Sequence, residues 1–122
     1  MDELFVPYDI AQKLNLKGFN DPCCRVFNGK NKLGGIGNEL IVDELIQLSP
    51  TKFIKAPMYQ QVVDWLREKY DIVLSVSFNQ DDVKYEYQGL SNKSKSPWFA
   101  GVVSTDYYAT LGAGIREALK MI

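Results

Sequence analysis

Four lysines and three aromatic residues carry the sequence's clearest means of recognising a charged ligand. Lys30 and Lys32 flank one turn, Lys93 and Lys95 sit in a second polar stretch, and Tyr85, Tyr87 and Trp98 stand near the latter. Ammonium groups at loop tips hold phosphates, and aromatic faces stack bases. Gathered at one end of a fold, these residues would make a small nucleic-acid surface. Loop tips are also lysine-rich simply because they are wet. With 14 basic and 15 acidic residues the net charge is −1, which supplies no broad basic field. Charge balance therefore makes nucleic acid the alternative partner and not the first one.

Catalytic chemistry has less to draw on. The chain has no histidine, which removes the commonest general base and the Ser–His and Cys–His pairs. Cys23 and Cys24 are adjacent, and a disulfide between neighbours strains the backbone, so both are expected as thiols. Only Arg25 stands close enough in sequence to lower a thiol pKa. Asp64 and Glu68 are one helical turn apart, a spacing that suits either a cation or a solvated face balanced by Arg67 and Lys69. Gly34-Gly35-Ile36-Gly37 has the backbone N–H groups to cradle an anion. It lacks both the Gly-Lys-Ser/Thr ending of a phosphate loop and the G-x-G-x-x-G spacing of a dinucleotide site. The expectation is a protein that is not an enzyme, with no catalytic residue, no metal and no cofactor; a histidine-free small enzyme is the weakest reading.

The elements that must position these residues are ordered around Ala56–Asp71. Pro57 suits the first turn of a helix. Met58, Val62, Trp65 and Leu66 recur at helical spacing, and Tyr59, Val63 and Tyr70 widen the stripe. After this helix the period changes to two. Ile72, Leu74, Val76 and Phe78 alternate with Val73, Ser75, Ser77 and Asn79; then, past Gln80-Asp81-Asp82, Val83, Tyr85 and Tyr87 alternate with Lys84, Glu86 and Gln88. One apolar and one polar face mark an antiparallel hairpin. A polar loop over 89–97 leads to a third strand from Trp98 to Val103. Ser104 to Ala109 reads as a connection, Thr110 as the N-cap of a last helix, and Leu111, Ile115, Ala118, Leu119 and Ile122 as its buried stripe. Gly112 and Gly114 each cost that helix roughly 1 kcal/mol relative to alanine. Alanine at position 114 is expected to raise stability if the first turn is loose and to lower it if another backbone packs there; the sequence favours the gain.

Upstream, Pro7 opens a helix to about Lys17, ended by Gly18 with Phe19 folding back onto Leu14. A strand from Cys23 to Phe27, a turn at Asn28-Gly29-Lys30 and a return strand near Lys32 form a second hairpin. Residues 39–48 fit a short strand at Leu40-Ile41-Val42 or a helix with Ile41, Leu45 and Leu48 on one face. Phe53 and Ile54 lead, extended, into the central helix.

Helix, hairpin, ambiguous segment, helix, three strands and helix predict an α+β fold, with helices on one face of a largely antiparallel sheet. At 122 residues a single domain over 1–122 is expected. Its structural core is predicted to contain Trp65, Leu66, Val62, Leu74, Val76, Ile115 and Leu119. No apolar run is long enough for a membrane span. Met1-Asp2-Glu3-Leu4-Phe5 is acidic and unlike a signal peptide; a cytoplasmic protein is expected.

Pro57, Tyr59-Gln60-Gln61, Trp65 and Arg67-Glu68-Lys69 together resemble a pattern in small proteins of gut Bacteroidetes and of their prophages and phages. The opening Val6-Pro7-Tyr8-Asp9-Ile10-Ala11 with Gly18-Phe19-Asn20-Asp21-Pro22-Cys23, and the closing Tyr107-Tyr108-Ala109-Thr110 with Glu117-Ala118-Leu119-Lys120, extend that resemblance to both ends. Gly112 and Gly114 depart from it. The resemblance implies no catalytic residues. It implies an accessory protein of a mobile element that acts by binding a host or phage protein, in host takeover or anti-defence. A nucleic-acid module using Lys30, Lys32, Lys93 and Lys95 is the alternative.

Overall fold

The computed structural model describes residues 2–29, 31–35, 37–91 and 98–122. It is an α+β protein with four helices and two antiparallel sheets. Its contacts gather into two compact units, Met1–Met58 and Tyr59–Ile122.

In the first unit a 3-10 turn, Asp2–Leu4, precedes α1, Tyr8–Leu16. Pro7 is the residue before α1, in extended conformation. Ile10, Ala11 and Leu14 are buried. The helix ends because Gly18 takes φ +85°, letting the Phe19 N–H donate to the Leu14 carbonyl at 2.9 Å and the Gly18 N–H to the Asn15 carbonyl at 3.3 Å. This pair of bonds absorbs carbonyls the helix itself cannot satisfy, and Phe19 is buried beside them.

The strand expected over 23–27 is only two residues long. β1, Val26–Phe27, pairs antiparallel with β2, Ile54–Lys55. The expected return strand shrinks to one bridge, Phe27 with Leu33. Residues 39–48 are helical: α2 spans Glu39–Leu48. Asn38 decides this locally, since its side-chain oxygen accepts the Ile41 N–H at 2.9 Å and caps the helix. Pro57 does not open the central helix. Its carbonyl accepts the Val6 N–H at 3.0 Å, and Met58 bridges Phe5, so both residues are held extended.

In the second unit α3 runs Tyr59–Tyr70 and buries Tyr59, Val62, Trp65 and Leu66. Asp71, at φ +55°, turns the chain in one residue into β3, Ile72–Asn79. β4, Lys84–Ser91, and β5, Trp98–Ser104, complete an antiparallel sheet of order β3-β4-β5. Ile72 pairs with Ser91 and Asn79 with Lys84 without a break; β4 and β5 slip register at Tyr85/Glu86. α3 packs on β3, and α4, Tyr107–Leu119, on all three strands. Ile72, Leu74 and Tyr87 are buried between. Cover thins toward the hairpin end: Val76 is only half-buried, against the expected core position, and Phe78 is exposed.

Three local expectations change. Val83 does not begin the second strand; at φ +53° it belongs to the turn and is exposed. Asn79 organises that turn by accepting the N–H groups of Asp81 and Asp82. Thr110 does not cap the last helix. Asp106 does, with Oδ1 accepting the Tyr108 and Ala109 N–H groups at 2.8 and 3.2 Å, while Thr110 is buried one turn in. Gly114 marks close packing and not a loose turn. A methyl there would lie 2.8 Å from Leu74 Cδ1 and 3.1 Å from Tyr87 Cβ.

Two further glycines fit the same logic. Tyr87-x-Gly89 and Phe99-x-Gly101 run antiparallel, so Gly89 faces Phe99 and Gly101 faces Tyr87. Each ring covers the opposite glycine: a Cβ at Gly89 would run into the Phe99 ring, and one at Gly101 would fall 2.7 Å from the Tyr87 ring. Aromatic cover of this kind compensates the missing side chain of a strand glycine.

Candidate interaction surface

Among the described residues of the first unit, α2 carries the largest group of exposed aliphatic side chains. Its sequence, Glu39 to Leu48, has six aliphatic residues among ten. Only Val42 is fully buried; Leu45 and Ile46 are half-buried. Leu40 is 75% exposed, Ile41 49% and Leu48 81%. Residues four apart share a helix face, so Leu40, Glu44 and Leu48 form one row, with Ile41 alongside. Covering the three exposed side chains would be worth on the order of 3–6 kcal/mol before the costs of association.

The helix is fixed in place from its other side. β2 packs against both α1 and α2. Lys55 of β2 ion-pairs with Asp43 at 3.4 Å and also donates to the carbonyls of Asn20 and Asp21 at 3.2 and 3.1 Å. Glu39, Asp43 and Glu44 give α2 three carboxylates and no cation of its own. Leu16, at the end of α1, is exposed beside a shallow groove of about 320 Å³ that Ile54 also lines.

The second unit carries a string of aromatic rings that is exposed at Phe78 and Tyr107 and buried at Tyr59. Phe78 contacts Tyr85 at 5.1 Å between centroids, Tyr85 contacts Tyr107 at 5.6 Å, Tyr107 contacts Tyr108 at 5.2 Å, and Tyr108 contacts Tyr59 at 5.2 Å. Most of these contacts are edge-on, the favoured geometry for aromatic pairs. The string joins the ends of β3, β4, α3 and α4, so its first role is packing.

Of the lysines singled out in the sequence, Lys32 is exposed just before the Phe27–Leu33 bridge partner. Lys30, Lys93 and Lys95 lie outside the described residues. Tyr87 cannot stack a base, because its ring is in the core over Gly101; burial raises its pKa above the ordinary tyrosine value. Two amides of the glycine loop are already taken. Gly34 and Gly37 donate their N–H groups to the carbonyls of Val26 and Cys24, both at 2.8 Å.

Cys23 is buried, with its thiol directed at the Asp21 carbonyl at 3.4 Å. Burial pushes its pKa up to about 12, the opposite of what a nucleophile needs. Asp64 pairs with Arg67 at 3.2 Å and accepts from Gln60 at 3.0 Å, and Glu68 lies 3.8 Å from Arg67. Among the described residues no group of three or more Cys, Asp and Glu side chains is placed to hold a metal ion, and no helix is long and apolar enough to cross a membrane.

Sequence reasoning weighed Arg25 only as a neighbour of the cysteines and missed its structural role. It is buried, donates from Nη1 to Asp2 Oδ1 and from Nε to the Gly34 carbonyl, both at 2.7 Å, and lies over the Phe5 ring at 4.8 Å. Its hydrogen bond and charge hold the Asp2 carboxyl below its usual range. Arg25 therefore pins the N-terminus and the glycine loop to β1. No periodicity could reveal this, since Asp2 and Gly34 come from distant parts of the chain. Compared with protein-family models, with curated protein sequences and with solved structures, the chain matches none.

Proposed function

We propose that the chain acts by binding another protein, and that α2 is the surface it uses. The observation that carries this reading is the exposure of Leu40 and Leu48 on either side of Glu44. A capped helix with a secured inner side and a bare aliphatic outer row is costly to leave facing water, and such rows are docking faces.

Charge narrows the partner. Anionic lipid and nucleic-acid phosphate are both repelled by Glu39 and Glu44, and membrane-surface helices carry Lys, Arg and aromatic residues that α2 lacks. A second copy of α2 fits poorly, because an antiparallel pair that matches the Leu40–Glu44–Leu48 row with itself brings Glu44 against its own copy. The partner is an apolar protein segment with a cationic residue placed between two aliphatic contacts. This accords with an accessory protein of a phage or mobile element whose target is a host or phage protein.

The test is capture from host lysate, with and without nuclease, by the native chain and by its Leu40→Glu/Leu48→Glu and Glu44→Lys variants. Retention of one nuclease-resistant protein by the native chain, and its loss with both variants, is the expected result. Capture that survives both variants, or that nuclease abolishes, rejects this surface.

A further inference from the structure

The outer edge of β3 is a second contact surface, in the other unit, and its chemistry is that of a strand awaiting a strand. β3 pairs along its full length with β4 on one side and is the end strand of the sheet. Among the described residues, no backbone group outside the sheet bonds to residues 72–79. Alternate N–H and C=O groups of an edge strand point outward unpaired.

Natural edges are blunted by charge, proline, bulges or shortness. β3 has none of these devices. Ile72–Asn79 contains no Asp, Glu, Lys, Arg or Pro, is eight residues long, and has no register shift against β4. It also leaves Val73 50% and Phe78 49% exposed. An uncharged strand of high β-propensity with an open edge is a template for another strand.

We infer that the occupant is a second copy of β3, paired antiparallel across a two-fold axis to make a continuous six-stranded sheet. The strand is self-complementary in the register that sets Ser75 opposite Ser75. Leu74 then faces Val76 and Ile72 faces Phe78 on the helix side; Val73 faces Ser77 on the open side. Each face keeps its character, as side-chain alternation requires. Charge agrees: the one charged residue that this register brings opposite the copy is Asp71, and it meets neutral Asn79. The contact is isologous, with one patch meeting itself, and so closes at two chains.

Sedimentation velocity and light scattering over a range of protein concentration test this directly. The native chain sediments as a dimer. Ser75→Lys places two ammonium groups opposite each other at the axis and raises the dimer dissociation constant about tenfold, because like charges in directly facing positions repel. The substitution leaves the fold intact, since Ser75 is exposed and its partner on β4 is neutral Gln88; an unchanged circular-dichroism spectrum checks this. Ser75→Glu has the same effect alone, and a one-to-one mixture of the Lys and Glu chains dimerises again. A native chain that stays monomeric at 100 μM (order of magnitude) overturns the inference, even if it captures a foreign peptide. So does a dimer indifferent to Ser75→Lys, or a Lys and Glu mixture that fails to reassociate.

Discussion

Replacing Gly114 by alanine sets two opposing effects against each other at one atom. Alanine is favoured over glycine in a helix interior by roughly 1 kcal/mol, and it also restricts the unfolded chain. On those grounds alone the substitution stabilises. The added methyl, however, sits 2.8 Å from Leu74 Cδ1 and 3.1 Å from both Cβ and Cγ of Tyr87. Carbon atoms in contact rest about 3.5–4.0 Å apart, so both neighbours are too close. Leu74 Cδ1 is the end of a rotatable side chain and can yield in part. Tyr87 Cβ is attached to the central strand, and its ring is held over Gly101. α4 must therefore lift away from the sheet. Overpacking of this kind costs about 1–3 kcal/mol, which leaves a net loss centred near 1 kcal/mol and a melting temperature lower by roughly 3–5 °C. Calorimetry and urea titration of the native chain and Gly114→Ala measure it. Shortening Leu74 to alanine in the same chain removes one of the two clashes, so the penalty for Gly114→Ala shrinks in that background. A rise in melting temperature for Gly114→Ala alone would show that α4 stands off the sheet, and would refute the packing argument.

Trp65 is buried in α3 with its ring edge-on to Tyr70 at 5.1 Å; Trp65→Ala is expected to cost about 3–5 kcal/mol, read as a lower urea midpoint. Asp106→Ala removes the acceptor for two helix N–H groups and should cost about 1 kcal/mol, whereas Asp106→Ser recovers most of it. In the native protein Cys23 should resist a thiol-specific disulfide reagent at pH 8 until the chain is unfolded. Its pKa is raised from 9.0 to about 12 on folding, so the neutral thiol's contribution is full below pH 9 and is lost as pH climbs from 9 toward 12. Rapid modification of Cys23 in the folded chain would contradict its burial. Asp2 runs the other way: held below its ordinary value of 3.8 by Arg25, it supports the fold above about that pH and ceases to as pH falls further. Acid titration of Asp2→Asn should therefore lack that part of the native chain's stability loss.

Sequence alone determined the elements whose signal is local. The two-residue period of 72–79, the helical stripe through Val62, Trp65 and Leu66, and the Gly18-Phe19 helix ending are each written in neighbouring side chains, and the chemistry of those neighbours suffices. The α+β class follows from their order. Tertiary structure decided wherever a backbone group had a distant partner. Pro57 left the helix because Val6 needed its carbonyl; β1 took its strand partner from β2, some thirty residues away, and kept a single bridge to the next stretch of chain. Gly114 and the crossed Tyr87–Gly101 and Phe99–Gly89 pairs gained meaning only once two elements met. The candidate surfaces divide in the same way. That β3 is uncharged could be read directly, but that it is an edge could not. That α2 is aliphatic was plain, yet which of its leucines stay in water depended on what packs against Val42, because burial is a property of the neighbours and not of the residue.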